Sequence, residues 1–234
     1  MTLKDRYDAI THEITEVCKA CGRPREAVRV IGVSKTVDLD AVEEAVATGL
    51  HDFAENRPAE LVRKHDAFPH ERWHFIGNIQ SRQLKDIVGR ACLIHSLYRQ
   101  EHAEKINRLA AERNIVQDVL IEVNDGEENK QGLPGEDLVD MLLFCHTLEH
   151  VRPLGLMTMA PQGSCDLADA TFERLAALRT SAQIALVEHG INDINLHELS
   201  MGMSDDYLEA IPRGATMVRI GRALFSENYT QRSI

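Results

Sequence analysis

The sequence predicts one closed (β/α)8 barrel, an α/β TIM-barrel fold, with an extra helix at its N-terminus. Three observations lead there. Short β-branched runs recur along the chain, and they are too continuously apolar for strands with a solvent-facing side. Helical patterns lie between most of them, and alternating β and α implies a parallel sheet. The chain has 234 residues, which suits eight such units closing into a barrel of about 200 to 250 residues. An open doubly wound sheet would carry a Gly-rich dinucleotide fingerprint after its first strand, and the sequence has none there. No linker, repeat or composition shift divides the chain, so residues 1–234 are read as one domain.

The elements follow in order. Leu3, Tyr7, Ile10, Ile14, Val17 and Cys21 form one apolar helical stripe, which ends at Gly22 with Pro24 just beyond. Val28 to Lys35 is a continuous β-branched run and reads as a buried parallel strand. Leu39, Val42, Ala45 and Val46 return to helical spacing, and Gly49 stops them. Further strands are predicted at 52–54, 73–76, 92–95, 119–123, 153–157, 195–199 and 217–220. Helices are predicted at 100–113, 135–147, 166–189 and 204–211.

Composition excludes several classes. With 44% hydrophobic and 27% charged residues the chain is globular rather than disordered or fibrous. Lys plus Arg is 26 against 37 for Asp plus Glu, a net charge of −11. Such a chain is repelled by nucleic acid and by anionic membrane surfaces, so neither is an expected partner. The apolar run Met141 to Cys145 is too short to cross a bilayer. Lys4, Asp5, Arg6 and Asp8 open the chain without an apolar signal segment. Five unevenly spaced cysteines fit reduced thiols, and a cytoplasmic location is expected.

Active groups of such barrels collect at the C-terminal ends of the strands. Lys35 ends the first strand after an apolar run. Partial desolvation there would lower its pKa and favour the neutral amine that Schiff-base chemistry needs. Position alone is equally met by a lysine reaching for solvent. Ser200-Met201-Gly202-Met203-Ser204 follows the seventh predicted strand, and Arg219-Ile220-Gly221-Arg222 ends the eighth. Loops after strands seven and eight are the usual phosphate place of barrels, although Ser204 is also a good N-cap for the next helix. An amine and a phosphate site on one barrel mouth suit a phosphorylated aldehyde, pyridoxal 5'-phosphate (PLP).

With those motifs in place the chain resembles the pyridoxal phosphate homeostasis protein family, whose barrel is similar to the N-terminal domain of alanine racemase. The resemblance spans about residues 28 to 229. It rests on Val33-Ser34-Lys35-Thr36, Phe53-Ala54-Glu55-Asn56 and Trp73-His74-Phe75-Ile76-Gly77. Glu127, Lys130, Gly132, Gly155-Leu156-Met157, Ser200 to Ser204 and Arg219-Ile220-Gly221 extend it. It implies the fold of type III PLP enzymes, with PLP held as an internal aldimine on Lys35. Asn56 would approach the ring. Ser200, Ser204, Gly221 and Arg222 would hold the phosphate, and Arg219 would face the pyridine nitrogen. An arginine there cannot accept a proton, so the ring is a poorer electron sink and transamination is disfavoured. Ala54, Arg82-Gln83, Arg222 and Ser226 depart from the family's usual residues. A guanidinium at 222 would offer a charge-assisted phosphate contact in place of a hydroxyl.

The resemblance implies a PLP carrier of vitamin B6 homeostasis with little or no turnover and no catalytic residues of its own. Other B6 vitamers are further expected ligands, and PLP-dependent apo-enzymes are the expected recipients. An amino-acid racemase is the alternative. Racemases of this kind use a tyrosine from a second domain, for which the chain leaves no room, and a monomer is expected. Two other motifs are set aside. His146 to His150 matches H-x-x-E-H but falls on the barrel face opposite Lys35, so no metal site is expected. Cys18-Lys19-Ala20-Cys21 has no partner motif, and Cys21 already belongs to the helical stripe.

Overall fold

The computed structural model describes residues 1–124, 131–161 and 163–229. Glu127 and Lys130 therefore lie outside the described residues. Helix α1 (Leu3–Ala20) begins with a reciprocal capping box: the Thr2 hydroxyl accepts from Asp5 N–H while Asp5 accepts from Thr2 N–H. It buries Leu3, Ile10, Ile14 and Cys18. The expected stripe is thus corrected at its end, because Cys21 caps the helix and is exposed whereas Cys18 is buried.

Nine parallel-paired strands follow: β1 (Arg29–Val33), β2 (Asp52–Glu55), β3 (Arg72–Phe75), β4 (Leu93–Leu97), β5 (Gln117–Asn124), β6 (Leu133–Pro134), β7 (Val151–Met157), β8 (Glu198–Met203) and β9 (Met217–Ile220). The sheet order β4-β3-β2-β1-β9-β8-β7-β5 closes through a β4–β5 pairing, so eight strands form a barrel and β6 adds a short bridge beside β5. The principal helices that follow the strands are α2 (Leu39–Ala47), α3 (Pro58–Ala67), α4 (Leu84–Ile87), α5 (Gln100–Glu112), α6 (Leu138–His146), α7 (Cys165–Glu188), α8 (Tyr207–Ala210) and α9 (Arg222–Phe225).

Side chains alternate across each strand, and the two faces enter different clusters. Val30, Phe53, Trp73, Phe75, Ile94 and Val119 pack in the large cluster shared with the helices. Ile31, Val33, Ala54, Leu93, Leu120, Met157 and Met217 form a second, smaller cluster, which is the barrel interior. Each fully buried Leu, Ile or Phe of the outer layer contributes roughly 1.5 to 3 kcal/mol. Phe53 and Trp73 stack at 5.3 Å between ring centroids, and the Trp73 indole N–H donates to Phe68 O at 3.0 Å.

One boundary differs in a way that matters for the site. The seventh barrel strand runs from Glu198 to Met203 rather than 195–199. Gly202 looked like a turn residue but sits inside the strand with φ +90°, at an irregularity in the pairing with β9. A Cβ there would fall 2.7 Å from the Ala210 methyl, so glycine lets α8 close onto the strand. Ser200 is consequently a strand residue, and the loop begins only at Ser204.

Candidate functional site

A cavity of about 380 Å³ opens at the C-terminal ends of the barrel strands. β1 supplies Val33 and, just beyond it, Lys35; the segments after β2 and β3 supply Asn56 and Gly77. Met157 and Met159 come from β7 and its end, and Ser204, Arg219, Gly221 and Arg222 come from β8, β9 and their loops. Of the seven residues expected at the site, the structure brings six to this cavity: Lys35, Asn56, Ser204, Arg219, Gly221 and Arg222.

Lys35 is exposed, so the desolvation expected of it is not found. The strand ends at Val33, two residues before Lys35. The buried lysine is Lys64 of α3, fully enclosed beneath the Lys35 turn. Its Nζ donates to Glu55 Oε1 at 2.6 Å and to Ser34 O at 2.7 Å. The Ser34 hydroxyl donates to the same carboxylate oxygen at 2.6 Å. This ion pair ties the end of β1 to β2 and α3, and so fixes the backbone that presents Lys35.

Asn56 is set by a close backbone approach. A Cβ on Gly77 would fall 2.1 Å from Asn56 O, so only glycine lets the ends of β2 and β3 come together there. Asn56 Oδ1 is buried beside the cavity and has no hydrogen-bond partner. An unsatisfied buried amide costs about 1 to 3 kcal/mol, which a ligand donor would recover.

Arg219 crosses the cavity floor and is only 3% exposed. Its Nη1 donates to Ser200 Oγ at 2.7 Å and its Nη2 to Thr158 O at 2.9 Å. Burial pushes its pKa down to about 10, which leaves it charged at neutral pH. Ser200 departs from expectation: it is fully buried in β8 and does not border the cavity. Its hydroxyl lies between Arg219 and His95 Nδ1, the latter at 2.8 Å. Ser204 does border the cavity, and its Oγ accepts from Ala223 N–H at 3.1 Å. It therefore caps α9, not the helix that follows it in sequence. The Arg222 guanidinium is paired with Asp205, and Tyr229 O–H donates to Ser204 O at 2.6 Å, which braces this loop.

Sequence reasoning missed several buried polar groups. Glu122 of β5 is almost fully buried, and burial pushes its carboxyl up to about 7. Gln131, which borders the cavity, reaches it at 3.4 Å. Asp52, His74 and His95 form a string through the interior. His74 and Glu55 stood inside quoted motifs, and strand parity was the available clue: His74 alternates with the outward Trp73 and Phe75 and so faces inward, whereas Glu55 shares the outward face of Phe53, toward α3. The two histidines of the H-x-x-E-H motif have partners of their own: His146 meets Asp193 at 3.3 Å, and His150 Nδ1 meets Ile115 O at 2.8 Å.

Known proteins share this fold. The family described as "Alanine racemase, N-terminal domain" matches residues 6–228. A pyridoxal phosphate homeostasis protein of Aquifex aeolicus (strain VF5) is 38% identical over 231 residues, covering 97% of this chain and 99% of that one. The chain belongs to the pyridoxal phosphate homeostasis protein family. Another member, from Synechocystis sp. (strain ATCC 27184 / PCC 6803 / Kazusa), is 36% identical and covers 86% of this chain and 92% of its own length. The structure of PipY of Synechococcus elongatus PCC7942 with PLP bound is similar to this family member with a TM-score of 0.83 and 29% identity. That likeness covers 96% of this chain and all of PipY. An alanine racemase of Clostridium difficile 630 shares the fold, with a TM-score of 0.72 and 17% identity, and this chain spans 57% of its length. No described helix is long and apolar enough to cross a membrane.

Proposed function

We propose that this chain binds pyridoxal 5'-phosphate and serves vitamin B6 homeostasis, holding the cofactor through Lys35 with little or no turnover. The observation that carries the reading is the convergence on one cavity of the Lys35 amine, the unpartnered Asn56 amide, the Arg219 guanidinium and the Ser204–Gly221 loops. Lys35 would attach the aldehyde carbon, and Asn56 would donate or accept at the ring edge. Ser204 and the backbone N–H groups of Gly221 and Arg222 would hold the phosphate. Ser200 moves from this set to a place behind Arg219. When bound, PLP supplies a reactive aldehyde and an electron-poor ring. Arg219 can only donate, so it would leave the ring nitrogen unprotonated. Relatives are named pyridoxal phosphate homeostasis proteins and PipY has been solved with PLP bound, which supports the ligand. One barrel, working as a monomer and loading apo-enzymes or taking other vitamers, completes the proposal.

The phosphate assignment has a direct test. Ser204 Oγ accepts from Ala223 N–H, and its own proton remains to donate. Ser204→Ala is expected to weaken PLP binding roughly 2- to 12-fold, the equivalent of about 0.5 to 1.5 kcal/mol for one neutral hydrogen bond. Binding of pyridoxal, which lacks the phosphate, should not change. Equal losses for both ligands, read by spectroscopic titration, would remove Ser204 from the phosphate site.

Racemisation is the competing reading, and the cavity argues against it. Two-base proton transfer needs a base on each face of the substrate, and each is typically worth about 10²- to 10⁴-fold. Among the described residues lining the cavity, Lys35 is the one amine, and no carboxylate, imidazole or phenol borders the cavity with it. Alanine incubated with the PLP-loaded protein in deuterated water is therefore expected to exchange its α-hydrogen slowly and without inversion. Fast exchange with inversion would establish the enzyme instead.

A further inference from the structure

A string of buried polar side chains runs along the barrel interior from the N-terminal ends of the strands to Arg219. His74 Nε2 lies 3.1 Å from Asp52 Oδ1, and His74 Nδ1 lies 2.9 Å from His95 Nε2. His95 Nδ1 lies 2.8 Å from Ser200 Oγ, which lies 2.7 Å from Arg219 Nη1. All five side chains belong to residues that are buried. Ile31, Ala54, Leu93, Leu120 and Met217 supply apolar neighbours in the interior. Arg29 lies 4.0 Å from Asp52 and 3.8 Å from Glu198 at the N-terminal end, and Glu122 and Asp206 act on Arg219 at the other.

The chemistry of the two ends dictates the protons between them. Arg219 can only donate. Asp52 can only accept while ionised, and Arg72 holds it so, with Nε donating to Oδ1 at 2.9 Å and Nη2 meeting Oδ2. Burial favours the neutral carboxyl, but the hydrogen bonds from His74 and Arg72 outweigh it and keep Asp52 below its usual value. Each of the three groups in between must therefore accept one proton and donate one. A single arrangement satisfies all of them. Arg219 donates to Ser200 and Ser200 O–H donates to His95 Nδ1; His95 Nε2–H then donates to His74 Nδ1 and His74 Nε2–H to Asp52. Both imidazoles are neutral with the proton on Nε2. Burial, acting on each ring, shifts both histidines toward the neutral form.

We propose that His95, backed by His74 and Asp52, is a positioning residue that orients the Ser200 hydroxyl to accept from Arg219 and so aims the guanidinium at the bound ligand. The proposal rests on the PLP reading for what Arg219 meets, but not for the proton arrangement itself. Reversing the His95 tautomer would point two donors at Ser200 and leave its own proton without an acceptor. Such a clash inside the buried barrel interior would release Arg219 from its place.

Two measurements test it. Long-range proton–nitrogen correlation spectra of ligand-free protein labelled in its histidines report each tautomer directly, with His74→Gln and His95→Gln assigning the signals. Both rings are expected neutral and protonated at Nε2 at pH 7.5. A proton on His95 Nδ1, or a charged His95, would overturn the arrangement. The second measurement is the visible absorbance of PLP-loaded variants. Ser200→Ala and His95→Gln are expected to shift the band and its pH response, while Ser200→Thr, which keeps the hydroxyl, retains both. A Ser200→Ala band identical to wild type would overturn the positioning role. Wild-type protein showing no PLP band would sink the cofactor reading alone, since the tautomer spectra need no ligand.

Discussion

Lys35→Ala protein, saturated with PLP, reduced with borohydride and digested, is expected to yield no labelled peptide. The wild-type protein is expected to yield a single label on the peptide containing Lys35. The reason is geometric. Lys35 is the one described lysine bordering the cavity, whereas Lys64 is fully buried with its ammonium already hydrogen-bonded to Glu55 and Ser34. Residual non-covalent binding should persist in Lys35→Ala, because Ser204, the Gly221 loop and Arg219 stay in place. The covalent visible band should vanish while affinity falls only in part. A label on Lys130 instead, or a variant labelled as fully as wild type, would show that another lysine holds the aldehyde.

Lys64→Met is expected to cost the fold roughly 3 to 5 kcal/mol, the usual penalty for leaving one half of a buried ion pair unpaired. Glu55 Oε2 already lacks a hydrogen-bond partner, so removing Lys64 leaves the carboxylate only the Ser34 hydroxyl among its hydrogen bonds. Urea denaturation measures the loss at unchanged slope. The double variant Glu55→Leu with Lys64→Met should recover most of it, because apolar replacements of a buried pair are often neutral or better. That double variant should also present Lys35 less well, since Ser34 loses both its hydroxyl acceptor and the donor to its carbonyl. A single variant within about 1 kcal/mol of wild type would mean that the pair is not held as a charged bridge. A double variant that labels as fast as wild type at Lys35 would mean that the bridge serves stability only.

Much of the site was readable without coordinates, and the reason lies in the architecture. In a parallel barrel every strand ends on the same rim, so Lys35, Asn56, Ser204 and Arg219 converge once each is placed at a strand end. Periodicity also located α1 and the cores of the strands, because buried parallel strands carry uninterrupted β-branched runs. Boundaries were less secure. Gly202 is a glycine in the left-handed region, and nothing local separates a turn from an irregularity inside a strand. That ambiguity put Ser200 in a loop when it belongs to the interior.

The barrel, the alternation of strands and helices and the residues at the strand ends follow from local periodicity and chain order. Which polar groups meet depends instead on how the chain folds in space. Ser200 and His95 are 105 residues apart, Arg219 and Thr158 are 61 apart, and Lys64 reaches back 30 residues to Ser34. Closure of the barrel brings these groups within hydrogen-bond distance and removes water from around them. An unpartnered polar group in that interior would cost about 1 to 3 kcal/mol, so each group's partner is set by its neighbours in space. Such a pairing leaves no periodic trace along the chain, because it depends on the register and shear of the closed sheet.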